Sequence, residues 1–438
     1  MIIKLAKSLD GLMKKYTPDP FIYALILTAL VLVIGVVFHD NNIADVVRYW
    51  GDGFWALTNF THQMVMILFL GYVAALASPV KKMLAHLASL PKNLAQAAAF
   101  STLIALLGCW LNWGFGLIIS ALFCKELGQK FGGRGFSTLV ACSYSGFLVW
   151  HGGLSGSIPL VVSTPGNFSE QLIGRLVPIS QTVFSNLNIV IVVAHIILMP
   201  ILAYYLMRVS DTKKVTLIKD RELIIDTDDI ITPAGKIENN PLVSVFVVTL
   251  ASSVIVIKMI DNRFHVDLDT INFILFILAL ALHVRPRNFL QASQQASSKI
   301  WPLLIQYPFY AGIMSVMQKS GIAESLSHAF VDLATKESLP LLVFLSAGLV
   351  NIFIPSGGGQ WAVQGPMVIA AAQELGADVT AAMMAVAWGD AWTNMIQPFW
   401  ALPLLAIAGL RARDIMGPLV FVLIASGLIT SSCFIIFS

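Results

Sequence analysis

Apolar residues run through this chain in long blocks rather than in the short alternations of a soluble fold. The few polar positions that break those blocks recur in the same order in both halves. Phe21–Phe38, His62–Ala77, Gln181–Met207, Leu242–Ile257, Thr270–His283, Trp301–Gln318 and Met416–Phe437 read as membrane-crossing helices, near the roughly 18 apolar residues that mark such segments. Two stretches, 93–124 and 339–373, contain no Asp, Glu, Lys or Arg, yet each is interrupted at its centre. The interruptions are Trp110-Leu-Asn-Trp-Gly-Phe-Gly116 and Ile354-Pro-Ser-Gly-Gly-Gly-Gln-Trp361. Arms of about 15 residues are short for a crossing of about 20, so the pattern predicts two re-entrant helical hairpins with tips near Asn112 and Ser356. Two further spans are broken helices: 136–162 at Trp150-His-Gly-Gly-Leu-Ser-Gly-Ser-Ile-Pro159, and 379–410 at Gly389, Asp390, Thr393, Asn394, Gln397 and Pro398. Residues 39–61 read as a mixed loop whose Trp50, Phe54 and Trp55 suit a membrane interface.

Composition agrees. The chain has 438 residues, 57% hydrophobic and 12% charged, too little charge to cover a soluble surface. A net charge of +3 does not point to nucleic acid. Cys109, Cys124, Cys142 and Cys433 lie in apolar runs without ligand spacing and read as buried hydrophobes, neither disulfides nor metal ligands. Lys4, Lys7, Lys14 and Lys15 precede the first apolar run as in a signal peptide, but no small-residue cleavage pattern follows, so that run reads as the first span. Charge also sets the topology. With the N-terminus inside, the cytoplasmic segments hold 21 of the 27 Lys and Arg residues, as the positive-inside rule requires. The predicted architecture is an all-α polytopic membrane protein with about nine transmembrane helices and two hairpins, N-terminus inside and C-terminus outside.

The two halves share one succession: two spans, a hairpin with a glycine-rich tip, a broken span and a closing span. Gly114 precedes Pro159 by 45 residues and Gly357 precedes Pro403 by 46. One hairpin enters from each face, so the repeats are expected to be inverted: a first repeat over 1–207, a cytoplasmic linker over 208–240, a connecting helix over 241–258 and a second repeat over 269–438. Such repeats place a substrate site near mid-membrane, where helices are interrupted. Asp390 is the one Asp, Glu, Lys or Arg inside any predicted span, and burying its charge there costs at least about 2.5–3.5 kcal/mol, which marks it as functional. Helix N-termini are expected near Gly114, Ser155, Gly358 and Asn394, where unpaired N–H groups attract an anion. The expected substrate-binding set is Asn112, Trp113, Gly114, His151, Ser155, Ser157, Ser356, Gly357, Gly358, Gln360, Trp361, Thr393, Asn394 and Gln397. Asp390, with Asn112, Ser356 and Asn394, is expected to handle a coupling H⁺ or Na⁺, the latter at the hairpin tips, and no cofactor is expected. With no Lys or Arg in the membrane to pair a second carboxylate, the pattern favours a monocarboxylate. His62 and His195 read as structural. Trp113, Trp361, Phe399 and Trp400 either line an apolar cleft or pack.

Four blocks carry a resemblance over essentially the whole chain: Leu111–Gly116, Val149–Leu160, Pro355–Pro366 and Ala387–Trp400. The chain resembles the short-chain fatty acid transporters of the acetoacetate-uptake type, within the ion transporter superfamily. The resemblance implies uptake of acetoacetate, butyrate or similar acids across a bacterial inner membrane. It also implies a homodimer with a scaffold and a moving domain in an elevator-like mechanism. Sodium-coupled dicarboxylate members carry Ser-Asn-Thr at both tips. Here the tips read Leu111-Asn-Trp and Pro355-Ser-Gly, a departure that weighs against dicarboxylates and against sodium. Other readings are a carrier or exchanger of dicarboxylates or other organic anions, an anion channel, and an intramembrane serine protease. The last rests on Gly153-Leu-Ser-Gly156 with His151 or His195 as base, a four-residue match that the repeat explains without it.

Overall fold

The computed structural model describes residues 20–39, 41–210, 214–215, 232–352, 354–397 and 400–437. The N-terminal lysines and most of the hydrophilic segment 208–240 lie outside these. Among the described residues the secondary structure is helical, apart from an isolated bridge between Arg134 and Lys214. The first half contains α1 (Pro20–Val37), α2 (Ile43–Gly53), α3 (Thr58–Ala75), α4 (Ser78–Ala88), α5 (Leu94–Leu111), α6 (Trp113–Lys130), α7 (Phe136–Tyr144, continued by a 3₁₀ turn to Val149), α8 (Ser157–Ser163) and α9 (Asn186–Val209). After α10 (Pro241–Ile260) come α11 (Leu268–His283), α12 (Pro286–Ser297), α13 (Trp301–Lys319), α14 (Ile322–Leu333), α15 (Leu339–Val350), α16 (Gly357–Glu374), α17 (Val379–Thr393), α18 (Leu402–Ala408) and α19 (Met416–Phe437).

Helix starts follow local chemistry. Asn93 accepts from the Gln96 N–H at 2.9 Å while the Gln96 side chain accepts from the Lys92 N–H, a reciprocal cap that starts α5. Asp267 caps α11 and Asp378 caps α17, each through one side-chain oxygen at 2.8 Å. Helices α5, α9, α10 and α19 are by themselves long and apolar enough to cross a membrane. The bent pairs α2–α3 (46°) and α12–α13 (51°) meet the same test together, and shorter apolar helices lie within α1, α7 with its 3₁₀ turn, α11 and α15. Helix α10 leaves Leu242, Phe246, Leu250, Val256 and Ile260 exposed and buries little beyond Ser244 and Ala251. An apolar helix exposed almost all round fits a lipid solvent rather than water. The chain is a multi-pass helical membrane protein.

Three expectations change. The segment read as a loop over 39–61 is largely helical, and short helices also occupy parts of 78–92, 284–299 and 319–338, between the predicted spans: these are α2, α4, α12 and α14. Their buried positions, such as Val80, Leu84 and Ala88 in α4, fall four apart, the period of one helix face. The helices on either side of Asn112 are 18 residues each rather than about 15: α5 fills 94–111, and α6 runs on past Cys124 to Lys130. Gly389 does not interrupt its span. It lies inside α17, where a Cβ would strike the Phe344 carbonyl oxygen, so the missing side chain lets α15 and α17 pack backbone to backbone. The interruption falls later, between Thr393 and Leu402.

Candidate functional site

Two helix interruptions and the two one-residue breaks at Asn112 and Ser356 come together around buried polar side chains. Asn112 is a single extended residue (φ −155°, ψ 124°) between α5 and α6. Its Oδ1 accepts from the Phe115 N–H at 2.8 Å and so caps α6. Ser356 repeats the geometry before α16 (φ −156°, ψ 107°), with Oγ 3.4 Å from the Gly359 N–H. Both helices are broken where the sequence analysis places the tips.

The first tip is fastened to the first break. The Trp113 N–H donates to Ser155 Oγ (3.0 Å), the Leu154 N–H donates to the Trp110 carbonyl (2.8 Å), and Gly153 lets Trp110 approach closely. Gly114 lies against the Leu68 backbone of α3, and Ser157 is buried at the start of α8. Ser155 is thus a tether, and no hydrogen bond joins it to a histidine among the described residues.

Asp390 and His151 join the two breaks. Both are fully buried, with His151 Nδ1 3.2 Å from Asp390 Oδ2. The Ile158 N–H, in the first turn of α8, donates to His151 Nε2 at 3.1 Å. With Nε2 accepting, the ring proton resides on Nδ1 and is donated to the carboxylate. Among the described residues Asp390 Oδ1 is buried with no partner at hydrogen-bonding geometry, and the Asn394 side chain is the polar neighbour closest to supplying one.

The second tip presses on the same pair. A Cβ on Gly357 would strike the His151 ring, one on Gly358 would meet Phe60 and Tyr307, and Ser356 Oγ is 3.1 Å from the Tyr307 hydroxyl. Around the second break, Thr393 Oγ1 donates to the Gly348 carbonyl, and the Asn394 carbonyl accepts from the Tyr144 hydroxyl at 3.0 Å. Asn351 Nδ2 reaches the Asp390 carbonyl (2.9 Å), Thr393 Oγ1 (3.0 Å) and Asn394 Oδ1 (3.1 Å).

One expected anion site is absent: Asn394 does not begin a helix. It is the C-cap of α17, and the next helix starts at Leu402, so Asn394 stands at a carbonyl end that suits a cation. Gln360 and Trp361 turn away from the pair. Gln360 bonds the Ala347 carbonyl and Gln364 within its own hairpin, and Trp361 donates to Ser169. Pro398 and Phe399 lie outside the described residues. Asn351, Tyr307, Tyr144 and Trp150 complete the site and were not anticipated. Asn351 has a signal in the sequence, an amide directly after the apolar run of α15, where it is the C-cap.

The buried polar atoms without protein partners divide by region. Donors lie near the first tip and break: Asn112 Nδ2, Trp113 Nε1 and Trp150 Nε1. Near the second break the unpaired atoms are Asp390 Oδ1, Asn351 Oδ1, Gln397 Oε1 and Asn394 Nδ2, mostly acceptors. Trp150 stacks on His151 (4.1 Å between centroids), and Trp113 meets both Trp150 (5.8 Å) and Trp400 (5.2 Å) edge-on. Behind this aromatic wall lies a cavity of about 570 Å³, lined mostly by apolar side chains, which runs from Trp113 and Gly114 past Gln306 to Lys299 and Arg411.

Interrupted helices that converge on a buried acid in a multi-pass bundle define a membrane transport protein. A family model described as "Short chain fatty acid transporter" matches residues 1–437, and the chain belongs to that family. It is 38% identical over 437 residues to a protein of Escherichia coli (strain K12), with 98% of each chain covered. It is 37% identical over 427 residues to one of Haemophilus influenzae (strain ATCC 51907 / DSM 11121 / KW20 / Rd), covering 95% of this chain and 96% of the relative. Both relatives are provisionally named short-chain fatty acid transporters; they are named as transporters, not enzymes. In fold it is similar to the Alcanivorax borkumensis YdaH transporter, whose crystal structure is described as having an unusual topology: TM-score 0.58 at 15% identity, covering 95% of this chain and 98% of that one.

Proposed function

We propose that the protein is a secondary carrier that imports a short-chain monocarboxylate, such as acetoacetate or butyrate, together with H⁺ or Na⁺. The names of the relatives support the substrate class. The observation that carries coupling is the fully buried Asp390, with one oxygen beside His151 Nδ1 and the other without a hydrogen-bond partner among the described residues. A cation or proton at Oδ1 neutralises the site, and a substrate carboxylate then finds neutral donors at the indole N–H groups of Trp113 and Trp150 and the Asn112 amide. Each unpaired buried group costs about 1–3 kcal/mol, which bound substrate and ion offset. The surrounding rings suit a short acyl tail. The site holds no Lys or Arg among its described residues, which favours one carboxylate over two.

The carrier works as two inverted repeats, 1–207 and 269–438, joined by the linker 208–240 and the connecting helix 241–258. It has nine spans and two re-entrant hairpins, the N-terminus inside and the C-terminus outside. Paired contacts support the repeat: α3 packs on α11 as α13 packs on α1, α3 on α12 as α13 on α2, α5 on α7 as α15 on α17, and α6 on α18 as α16 on α8. Movement is elevator-like, in a homodimer in a bacterial inner membrane. The 570 Å³ cavity then opens at the cytoplasmic face, with Lys299 and Arg411 at its mouth attracting the anion.

Proteoliposomes supplied with labelled butyrate, acetoacetate or succinate under separate sodium and proton gradients test this function. Accumulation of a monocarboxylate driven by one of the gradients is expected. Equal leakage without any gradient would indicate a channel, and preference for succinate would indicate a dicarboxylate carrier.

A further inference from the structure

A second cavity, of about 810 Å³, lies away from the transport site, where the start of α4 faces the corner between α11 and α12. Its wall includes Lys81, Lys82, Arg285, His283, Ser78 and Asn288, and no Asp or Glu among the described residues contributes to it. Neither lysine nor Arg285 forms an ion pair among the described residues. Two helices of 11 and 12 residues begin here, α4 at Ser78 and α12 at Pro286, and neither is capped by a side chain. The positive ends of the two helix dipoles add to the potential of the three cations. His283 is already used, its Nε2 bonding the Val73 carbonyl at 2.8 Å.

The backbone is bent sharply to form this corner. Val284 has φ +63° and ψ −45°, with the Arg285 N–H 2.6 Å from the His283 carbonyl, a tight three-residue turn that a β-branched residue rarely adopts. The other corner of this type, where the α1–α2 turn meets the α13–α14 turn, is closed by one side chain: Asn41 Nδ2 donates to the carbonyls of Gly35, His39 and Ser320, each at 3.1 Å. The fold can therefore seal such a corner with an amide, and at α4, α11 and α12 it leaves a cationic basin.

The depth of the basin identifies its ligand. Helix α11 is apolar from Phe273 to Leu282, and the rim beyond it exposes Val284 (50%) and Leu290 (52%), so the cations sit where an apolar span gives way to polar surface. That is the level of lipid headgroups, and basic pockets between spans at that level bind anionic lipids. We propose that this corner binds the phosphodiester headgroup of an anionic membrane lipid, through Lys81, Lys82 and Arg285 at the N-terminal ends of α4 and α12.

The test uses the full chain, purified in a zwitterionic detergent, with thermal unfolding followed as dihexanoyl phosphatidylglycerol, dihexanoyl phosphatidylcholine or inorganic phosphate is added. Phosphatidylglycerol is expected to raise the Tm, and the other two to leave it unchanged. In K81Q/K82Q/R285Q the same shift should need roughly 100-fold more lipid, since each cation near a headgroup is worth about a factor of five. A control with the same charge loss elsewhere, K92Q/R208Q/K236Q, should respond as the native protein does. If the triple variant does not fold, R285Q alone should need about fivefold more lipid. An unchanged response in K81Q/K82Q/R285Q, or an equal loss in the control, would overturn the site. An equal shift with inorganic phosphate would overturn its assignment to a lipid.

Discussion

The two hairpin tips share one backbone geometry and differ in what surrounds them. Asn112 and Ser356 adopt almost the same φ and cap the helix that follows. The first tip is bonded directly to the neighbouring break through Trp113, Leu154 and Ser155, and its unpaired groups are donors. The second tip is held by Tyr307 and pressed against His151, and most of the unpaired groups around its break are acceptors. One backbone device used twice thus presents unpaired donors on one side and, on the other, mostly unpaired acceptors beside a single carboxylate. On the proposed function, the first side takes the substrate anion and the second the coupling cation.

The largest effect is expected at Asp390. In Asp390→Asn the amide oxygen still accepts from His151 Nδ1, so the fold should persist with a Tm within a few degrees of native. Cation-driven accumulation of butyrate should fall at least about 100-fold, because the ionised acceptor, worth several kcal/mol at a buried site, is gone. His151→Ala should come next. It leaves the acid buried without its donor and uncaps Ile158, and should destabilise the protein by about 3–5 kcal/mol, readable as a lowered Tm with loss of uptake.

Replacing either indole donor sharpens the comparison from the anion side. Trp113→Phe or Trp150→Phe keeps an aromatic ring and removes the N–H, so KM for butyrate should rise roughly tenfold with little change in Tm, as expected when a hydrogen bond to a charged group is lost. Unchanged KM in both variants would place the carboxylate elsewhere. The smallest effect is expected at Ser155→Ala, which removes the tether accepting from Trp113. Stability should drop by about 1 kcal/mol while uptake continues. Loss of all activity in that variant would instead revive a nucleophilic role for Ser155.

Much of this site was legible in the residues because the membrane imposes few solutions. A charge-free run interrupted at Asn112 or Ser356 has to break there, and a lone Asp390 in an apolar span has to meet a partner. His151 stood out for the same reason. The pairing of His151 with Asp390, however, spans 239 positions and depends on how two broken helices pack, which no local pattern encodes. The end of α17 was placed too early, since Gly389 reads as a breaker in sequence but serves close packing against α15. Asn394 was accordingly given a donor role that its C-cap position reverses. Gln360 and Trp361 belonged to the right motif but face their own hairpin and Ser169, because neighbours on a helix point to different sides.

Uptake and exchange measured side by side on reconstituted Asp390→Asn protein test the coupling role of this acid most directly. With the carboxylate gone, labelled butyrate should still exchange against butyrate trapped inside the vesicles, while accumulation driven by a sodium or proton gradient should disappear. Concentrative uptake at the native rate in that variant would contradict the assignment of the coupling ion to Asp390.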